Sequence, residues 1–451
     1  MKNKIDMTEG AVFPKLVKFA VPLILSSILQ LLFNAADIVV VGRYAGDNSL
    51  AAVGSTSSLV NLLVNFFIGL GVGCNVVAAN FLGAGKKDEL NKTVHTTIVL
   101  SLAGGVLLTF IGVLFSKQIL ILMGSPEEVL PLSTLYLKIF FGGITATVVY
   151  NFGAALLRSK GDTKRPLYIL LAAGVINVVL NLIFVISFSM GVAGVAFATV
   201  LSQIFAAFCV ILILMREEDE FRLVLKKLKI DRVIFFRILK IGLPAGFQGM
   251  LFSFSNMLIQ SSVNSFGAVM VAGNSAAQSI EGFVYISMNS FAQGTLTFAS
   301  QNMGAHKFDR IKKLILTAEF SVTGVGLILG NLALIFGRQL LGIYSDNDDV
   351  IEAGMLRLAV ILSTYFTCGM MDCMASAIRG VGHSVMPMIV TLIGACGLRI
   401  VYLFTFFRIQ RFHTFQSIFF SYPISWTVTF LFLTASFIWI MKNISAESKA
   451  A

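Results

Sequence analysis

Charge is what this 451-residue chain has little of: Asp, Glu, Lys and Arg together make up 13% of it. So few charges cannot cover the surface of a soluble protein of this length. Cysteine is sparse as well. Cys74, Cys209, Cys368, Cys373 and Cys396 all fall inside apolar runs, and none has CxxC or metal-site spacing. That excludes a disulfide framework and a zinc module, and leaves the five as small packing residues. His95, His306, His383 and His413 are scattered near the ends of the runs and form no ligand cluster. No P-loop occurs, so the chain has no means of hydrolysing ATP, and any pumping draws on an ion gradient. No enzyme activity and no cofactor are expected.

What the chain does have is apolar length. It is 57% hydrophobic, with a mean hydropathy of +0.86. Twelve runs stand out, at 14–41, 50–80, 93–115, 129–155, 166–187, 191–214, 234–261, 271–302, 315–336, 352–377, 386–407 and 413–441. Each has the roughly 20 residues a helix needs to cross ~30 Å of hydrocarbon. The runs are continuous rather than alternating, which excludes a barrel. The expected fold is an all-α polytopic membrane protein of twelve transmembrane helices. Met1–Gly10 is polar with charges of both signs, and the first run is too long for a signal peptide, so the first span is expected to stay.

Basic residues concentrate in alternate connections. The opposite side holds only Arg43, Lys117, Arg338, Arg408 and Arg411, and Lys138, Arg357 and Arg399 lie within spans. By the positive-inside rule both termini are cytoplasmic, in a multi-pass protein of the cell (inner) membrane. The net charge of +11 is topogenic bias rather than a nucleic-acid surface, so the expected partners are the bilayer and a small molecule, with no nucleic acid.

The chain is also duplicated. Gly83-Ala84-x-Lys86-x-Asp88 reappears 221 residues later as Gly304-Ala305-x-Lys307-x-Asp309. Arg158, Gly161 and Pro166 reappear at the same offset as Arg379, Gly382 and Pro387, and Lys18 and Pro22 match Lys240 and Pro244 one residue out of step. Internal duplication in a membrane protein points to two half-transporters about a pseudo-symmetry axis, with the site between or within them. Residues 1–214 are expected to form one six-helix bundle and 234–451 the other, with 215–233 as a charged cytoplasmic linker.

Ionisable groups inside hydrocarbon are costly and are functional candidates by default. Asp37, Glu281, Asp372 and Arg399 stand out. On the first span Gln30, Asn34 and Asp37 are spaced i, i+4, i+7 and share a face, with Pro22 two turns earlier to weaken or bend the helix. Asn177 and Asn181 lie i, i+4 on the fifth span, and Asn61 and Asn65 likewise on the second. On the eighth, Asn274, Gln278 and Glu281 repeat the i, i+4, i+7 pattern, with Tyr285 a turn further. Counted at 1.5 Å per residue, Glu281 lies roughly 15 Å and Arg399 about 12 Å below the same surface. The depths match, and a Glu281–Arg399 pair is expected to be sterically possible. Asp372 lies nearer the other surface, seven residues before Arg379. This group serves either as a structural ion-pair network or as a second-half substrate site. None of Asp37, Glu281, Asp372 or Arg399 has an ionisable counterpart at the repeat offset, so the chemistry of the two halves has diverged.

The whole chain resembles the MATE (multidrug and toxic compound extrusion) family. The likeness rests on Pro22 followed by Asp37, Gly83-Ala84, Arg158-Ser-Lys-Gly161-Asp162-Thr, Asn177-Val-Val-Leu-Asn181 and Gly191-Val-Ala-Gly194-Val-Ala-x-Ala-Thr199. The resemblance implies a first-half ion-coupling site made of an Asp on the first span, an Asn and an Asp on the fifth, and a Thr on the sixth. These fall on Asp37, Asn177, Asn181 and Thr199, and the sequence departs at Asn181, where the family commonly has Asp. One full negative charge then remains, which suits either a proton or a Na⁺ held by Asp37 with neutral amide and hydroxyl oxygens. The acid that the sodium-coupled branch carries on its seventh span falls near Phe252 and is missing. The resemblance implies a monomeric antiporter that exports amphipathic, cationic drugs in exchange for H⁺ or Na⁺. A lipid-linked sugar flippase of the same superfamily is the alternative.

Overall fold

The structure, a computed structural model, describes residues 5–450. Met1–Lys4, the start of the polar N-terminal segment, and Ala451 lie outside the described residues. In hydrocarbon every backbone N–H and C=O must be satisfied within the segment, and continuous apolar runs accordingly become helices. The helices are α1 Val12–Tyr44, α2 Asp47–Gly83, α3 Lys87–Leu122, α4 Leu130–Ser159, α5 Lys164–Asn181, α6 Gly191–Met215 and α7 Arg232–Asn264. They continue with α8 Ala268–Gly304, α9 Phe308–Ile335, short α10 Gly337–Gly342, α11 Asp348–Gly380, α12 Val385–Thr391, α13 Leu398–Phe404 and α14 Phe415–Ala450. Two π-helical segments interrupt this order, Leu182–Ser187 after α5 and Leu392–Gly397 between α12 and α13. No strand occurs among the described residues.

Eleven helices or helical runs are long and apolar enough to cross a membrane. The remaining long helix is α8, which at 37 residues has ample length. Its polar content sets it apart: Asn274, Gln278, Glu281, Asn289, Gln293, Gln301 and Asn302 all lie on it. With α8 included, each of the twelve apolar runs corresponds to a long helical segment.

The duplication is visible in the local geometry. Helices α2 and α8 begin and end at the same offset of 221, and α4 and α11 end at it too. The turns agree residue by residue. Gly46 and Gly267 have φ of 83° and 90°, Gly161 and Gly382 have 88° and 96°, and Gly85 and His306 have 67° and 54°. The last pair is informative, because a left-handed backbone favours glycine and His306 holds it with a full side chain.

The chain forms two compact units. One is built on Leu25–Gly242, and the other holds Asp6–Ile24 together with Leu243–Ala451. The boundary inside α1 falls two residues past Pro22, and the boundary inside α7 falls just before Pro244. In the first unit α4 packs on α2, α3 and α6. Small residues allow this: a Cβ on Gly143 would lie 2.3 Å from Val200, and one on Gly105 2.7 Å from Thr145. In the second unit α11 packs on α8, α9 and α14, and Gly273 and Gly380 bring α8 and α11 together with no room for a side chain. Helices in lipid associate through such close van der Waals packing, since lipid tails are as apolar as leucine.

Candidate functional site

The first unit gathers Asp37, Asn177, Asn181 and Thr199. Asn177 and Asn181 lie one turn apart on α5, so their amides share a face. Gly174 lies on that face a turn earlier. A Cβ there would lie 1.7 Å from the Phe33 ring, so glycine is what lets α1 settle against α5. Asp37 lies one turn beyond Phe33 and Asn181 two turns beyond Gly174, and the notch thereby brings carboxylate and amide together. Asn181 Nδ2 donates to Asp37 Oδ1 and to Asn177 Oδ1 at 3.3 Å. Asn177 Nδ2 in turn donates to Thr199 Oγ1 at 3.5 Å. Asn181 is fully buried, and its Oδ1 has no hydrogen-bond partner among the described residues.

The α-helical geometry of α5 stops at Asn181, and the next six residues are π-helical. Such widened turns recur at functional sites. Gly194 of α6 fits against this segment, since a Cβ there would lie 3.0 Å from Phe184 Cβ. The polar run is therefore held by three elements, α1, α5 and α6. It offers one carboxylate with neutral amide and hydroxyl groups around it, in a setting where electrostatic interactions are strong. Gln30 and Asn34 of α1 are exposed, as are Asn61 and Asn65 of α2, and none joins this chain of bonds.

The second unit resolves the remaining sequence candidates into separate groups. Glu281 pairs with Arg357 of α11 and not with Arg399. Arg357 Nε meets Glu281 Oε1 at 2.8 Å and Nη2 meets Oε2 at 2.7 Å. Its Nη1 donates to Asn274 Oδ1 at 2.9 Å, and the guanidinium lies over Phe419 at 4.9 Å and Tyr422 at 5.6 Å. Equal depth allowed the Glu281–Arg399 pair, but depth fixes only one coordinate, and the helices are rotated to bring Arg357 to the acid. Arg399 instead donates to Ser425 Oγ at 3.0 Å and Asn256 Oδ1 at 3.4 Å, with its guanidinium 4.2 Å from the Tyr422 ring centre and 5.6 Å from that of Trp426. Like Asn181, it lies beside a π segment, Leu392–Gly397.

Asp372 accepts from the Tyr285 hydroxyl and the Asn289 amide, and Tyr285 stacks on Tyr365 at 6.5 Å. Gln278 is exposed and joins none of these groups. One base and one acid inside spans, Arg357 on α11 and Glu319 on α9, take on their surroundings only in the folded structure. Their presence in apolar runs was the available signal; their surroundings depend on neighbouring helices and leave no trace in spacing.

The MatE family profile matches the chain twice, over residues 22–183 and 244–405, once in each repeat. A relative from Bacillus subtilis (strain 168), the probable multidrug resistance protein YoeA, is 28% identical over 448 residues, covering 97% of this chain and 96% of its own. The probable multidrug resistance protein NorM of Thermotoga maritima is 26% identical over 405 residues, covering 87% and 85%. Among solved structures, the outward-facing conformation of a multidrug resistance MATE family transporter superimposes with a TM-score of 0.91 at 21% identity, over 100% of this chain and 99% of that one. Two copies of one family pattern, within one residue of the spacing the duplication sets and on a fold shared end to end with such a transporter, place this chain in the MATE family of membrane transporters.

Proposed function

We propose that this protein is a secondary antiporter that exports amphipathic, cationic small molecules in exchange for H⁺, with Asp37 as the proton-carrying group. It acts as a monomer in the cell membrane with both termini cytoplasmic. The observation that carries the proposal is the polar run from Asp37 through Asn181 and Asn177 to Thr199. Drug export as such is supported by the probable multidrug resistance proteins this chain is similar to.

An ionised Asp37 accepts from Asn181 Nδ2, as seen here. A protonated Asp37 must donate instead, and the acceptor at hand is the partnerless Oδ1 of the same amide. Turning the amide over exchanges one arrangement for the other, so each protonation state has its own bonding pattern. That is the two-state element coupling requires, provided proton and drug favour different states. Pro22 gives α1 a place to bend as its outer part repacks. The membrane potential supplies ~2.3 kcal/mol per charge per 100 mV.

The number of groups that must turn favours H⁺ over Na⁺, since a proton on Asp37 asks only that the Asn181 amide turn over. A sodium ion would need Asn181 Oδ1, Asn177 Oδ1 and Thr199 Oγ1 all turned towards it beside Asp37, because hard cations take several oxygens. A lipid-linked sugar flippase would need a basic lining for a pyrophosphate. Arg357 is neutralised by Glu281, and Arg399 is already engaged by Ser425 and by the Tyr422 and Trp426 rings.

The test is efflux of a fluorescent lipophilic cation from cells expressing the wild type or Asp37→Asn, with H⁺ and Na⁺ gradients imposed separately. The wild type should extrude dye under the H⁺ gradient, and Asp37→Asn should not at equal expression. Extrusion driven by Na⁺ alone would replace the ion. Equal behaviour of the two proteins would remove Asp37 from the mechanism, and no dye movement in either would favour the flippase.

A further inference from the structure

Glu319 is an acid that the polar run around Asp37 does not use. It lies near the middle of α9, and both carboxyl oxygens are buried with no hydrogen-bond partner among the described residues. Its position follows from a tight seam among α8, α9 and α11. A Cβ on Gly326 of α9 would meet Met288 Sδ and the Phe366 backbone at 2.9 Å, and one on Gly369 of α11 would lie 2.8 Å from Met288 Sδ and 3.0 Å from Val322. Glu319 is one turn before Val322, and Cys373 is one turn after Gly369. The same antiparallel seam therefore carries Glu319 towards the Cys373 end of α11.

Thr295 of α8 closes the group, with its hydroxyl 3.9 Å from Cys373 Sγ and bonded to Phe291 O at 2.9 Å. The titratable groups on the packed helices offer Glu319 no counter-charge. Asp372, next to Cys373 on α11, is turned to Tyr285 and Asn289 of α8. On α9 itself the nearest cations in sequence are Lys312 and Lys313, about 9–10 Å of helix away.

A bare carboxylate with neither donor nor counter-ion is strongly disfavoured in such a place. A metal cation does not fit either, because a thiol and a committed hydroxyl do not supply the several oxygens Na⁺ or Ca²⁺ takes. No group of three or more His, Cys, Asp or Glu that could hold a metal occurs among the described residues. The ligand this seam fits is a proton.

We infer that Glu319 is a second proton-binding site, which holds its proton while α8, α9 and α11 are packed and releases it to water when that seam opens during transport. In the release step the carboxyl O–H bond breaks, the electron pair stays on the carboxylate, and the proton passes to water. The release half rests on the antiport proposed above; the protonated packed state does not.

Two measurements on the full chain in lipid separate these. Difference infrared spectroscopy at neutral pH should show a protonated-carboxyl C=O band in the wild type that is missing from Glu319→Gln and retained in Asp37→Asn. Gln is isosteric with the neutral acid, so this variant should fold, and Glu319→Ala serves as a second variant. A spectrum in which neither Glu319 variant removes a band would overturn the proton site, whatever the transport result. In proteoliposomes Glu319→Gln should still move substrate, with one fewer proton per substrate. A lost band with an unchanged ratio would overturn release during the cycle. Transport by Asp37→Asn equal to the wild type would overturn the antiport proposal and leave the Glu319 band as it is.

Discussion

Replacing Arg357 with Met removes one side of a buried, bidentate ion pair and leaves the other side in place. Glu281 is 4% exposed and Arg357 3%, so water cannot take over the role of the missing partner. Three hydrogen bonds disappear, two to the carboxylate and one to Asn274. Breaking such a pair from one side costs about 3–5 kcal/mol, because an uncompensated charge stays buried. Removing both partners is a different perturbation. In Glu281→Leu with Arg357→Met the space is filled by apolar groups of similar size, and only Asn274 Oδ1 is left short, a penalty of about 1–3 kcal/mol. A double-mutant cycle on purified protein in mixed micelles, read by unfolding free energy, should therefore give a coupling of about 2 kcal/mol or more. The single Arg357→Met protein should be the least stable of the four. A loss below about 1 kcal/mol in that single variant, or a double variant no more stable than it, would refute the claim that burial makes this pair a brace.

Two further outcomes concern the first unit. Gly174→Ala would force a Cβ into the Phe33 ring, pushing α1 off α5 and parting Asp37 from Asn181. Dye efflux should fall at least tenfold, on the order expected for a misplaced functional group, and Phe33→Ala in the same protein should restore most of it. Asn181→Asp would set a second carboxylate beside Asp37. Two carboxylates sharing a site resist joint ionisation, and the second anionic oxygen supplies a further ligand of the kind hard cations take, so efflux should gain a dependence on Na⁺ that the wild type lacks, measured with the H⁺ gradient collapsed.

The features legible in the sequence were those written along one helix or repeated at one offset. The offset of 221 carries straight through to the ends of α2 and α8 and to the paired left-handed turns, including His306. The family profile matches twice within one residue of that offset. Asn177 and Asn181 share a face by simple helical spacing, and the resemblance to the MATE family named Asp37 and Thr199 as their companions. The structure joins all four by hydrogen bonds. Pairing across helices was less legible. Depth along a span follows from residue count, but the rotation of one helix about its axis does not. Hence the acid at position 281 met Arg357 rather than Arg399. The same limit hid the surroundings of Glu319, which exist only once Gly326 and Gly369 have drawn three helices together. The two π segments left no trace in composition at all.

The division of α1 near Pro22 has a consequence for biosynthesis. Leu16 and Phe19 pack against Gly294 and Phe298, in the unit that also contains α8. Asn302 and Arg310 likewise bond the backbone of Met7. These early residues leave the ribosome long before their partners are made. The start of the chain must therefore wait, threaded into the membrane but without its lasting neighbours, until the eighth and ninth helices emerge. Conversely, the first unit gains Arg232–Gly242 of α7 only after its own six helices are complete. Neither half is finished by its own stretch of message, and final assembly is an event of late translation.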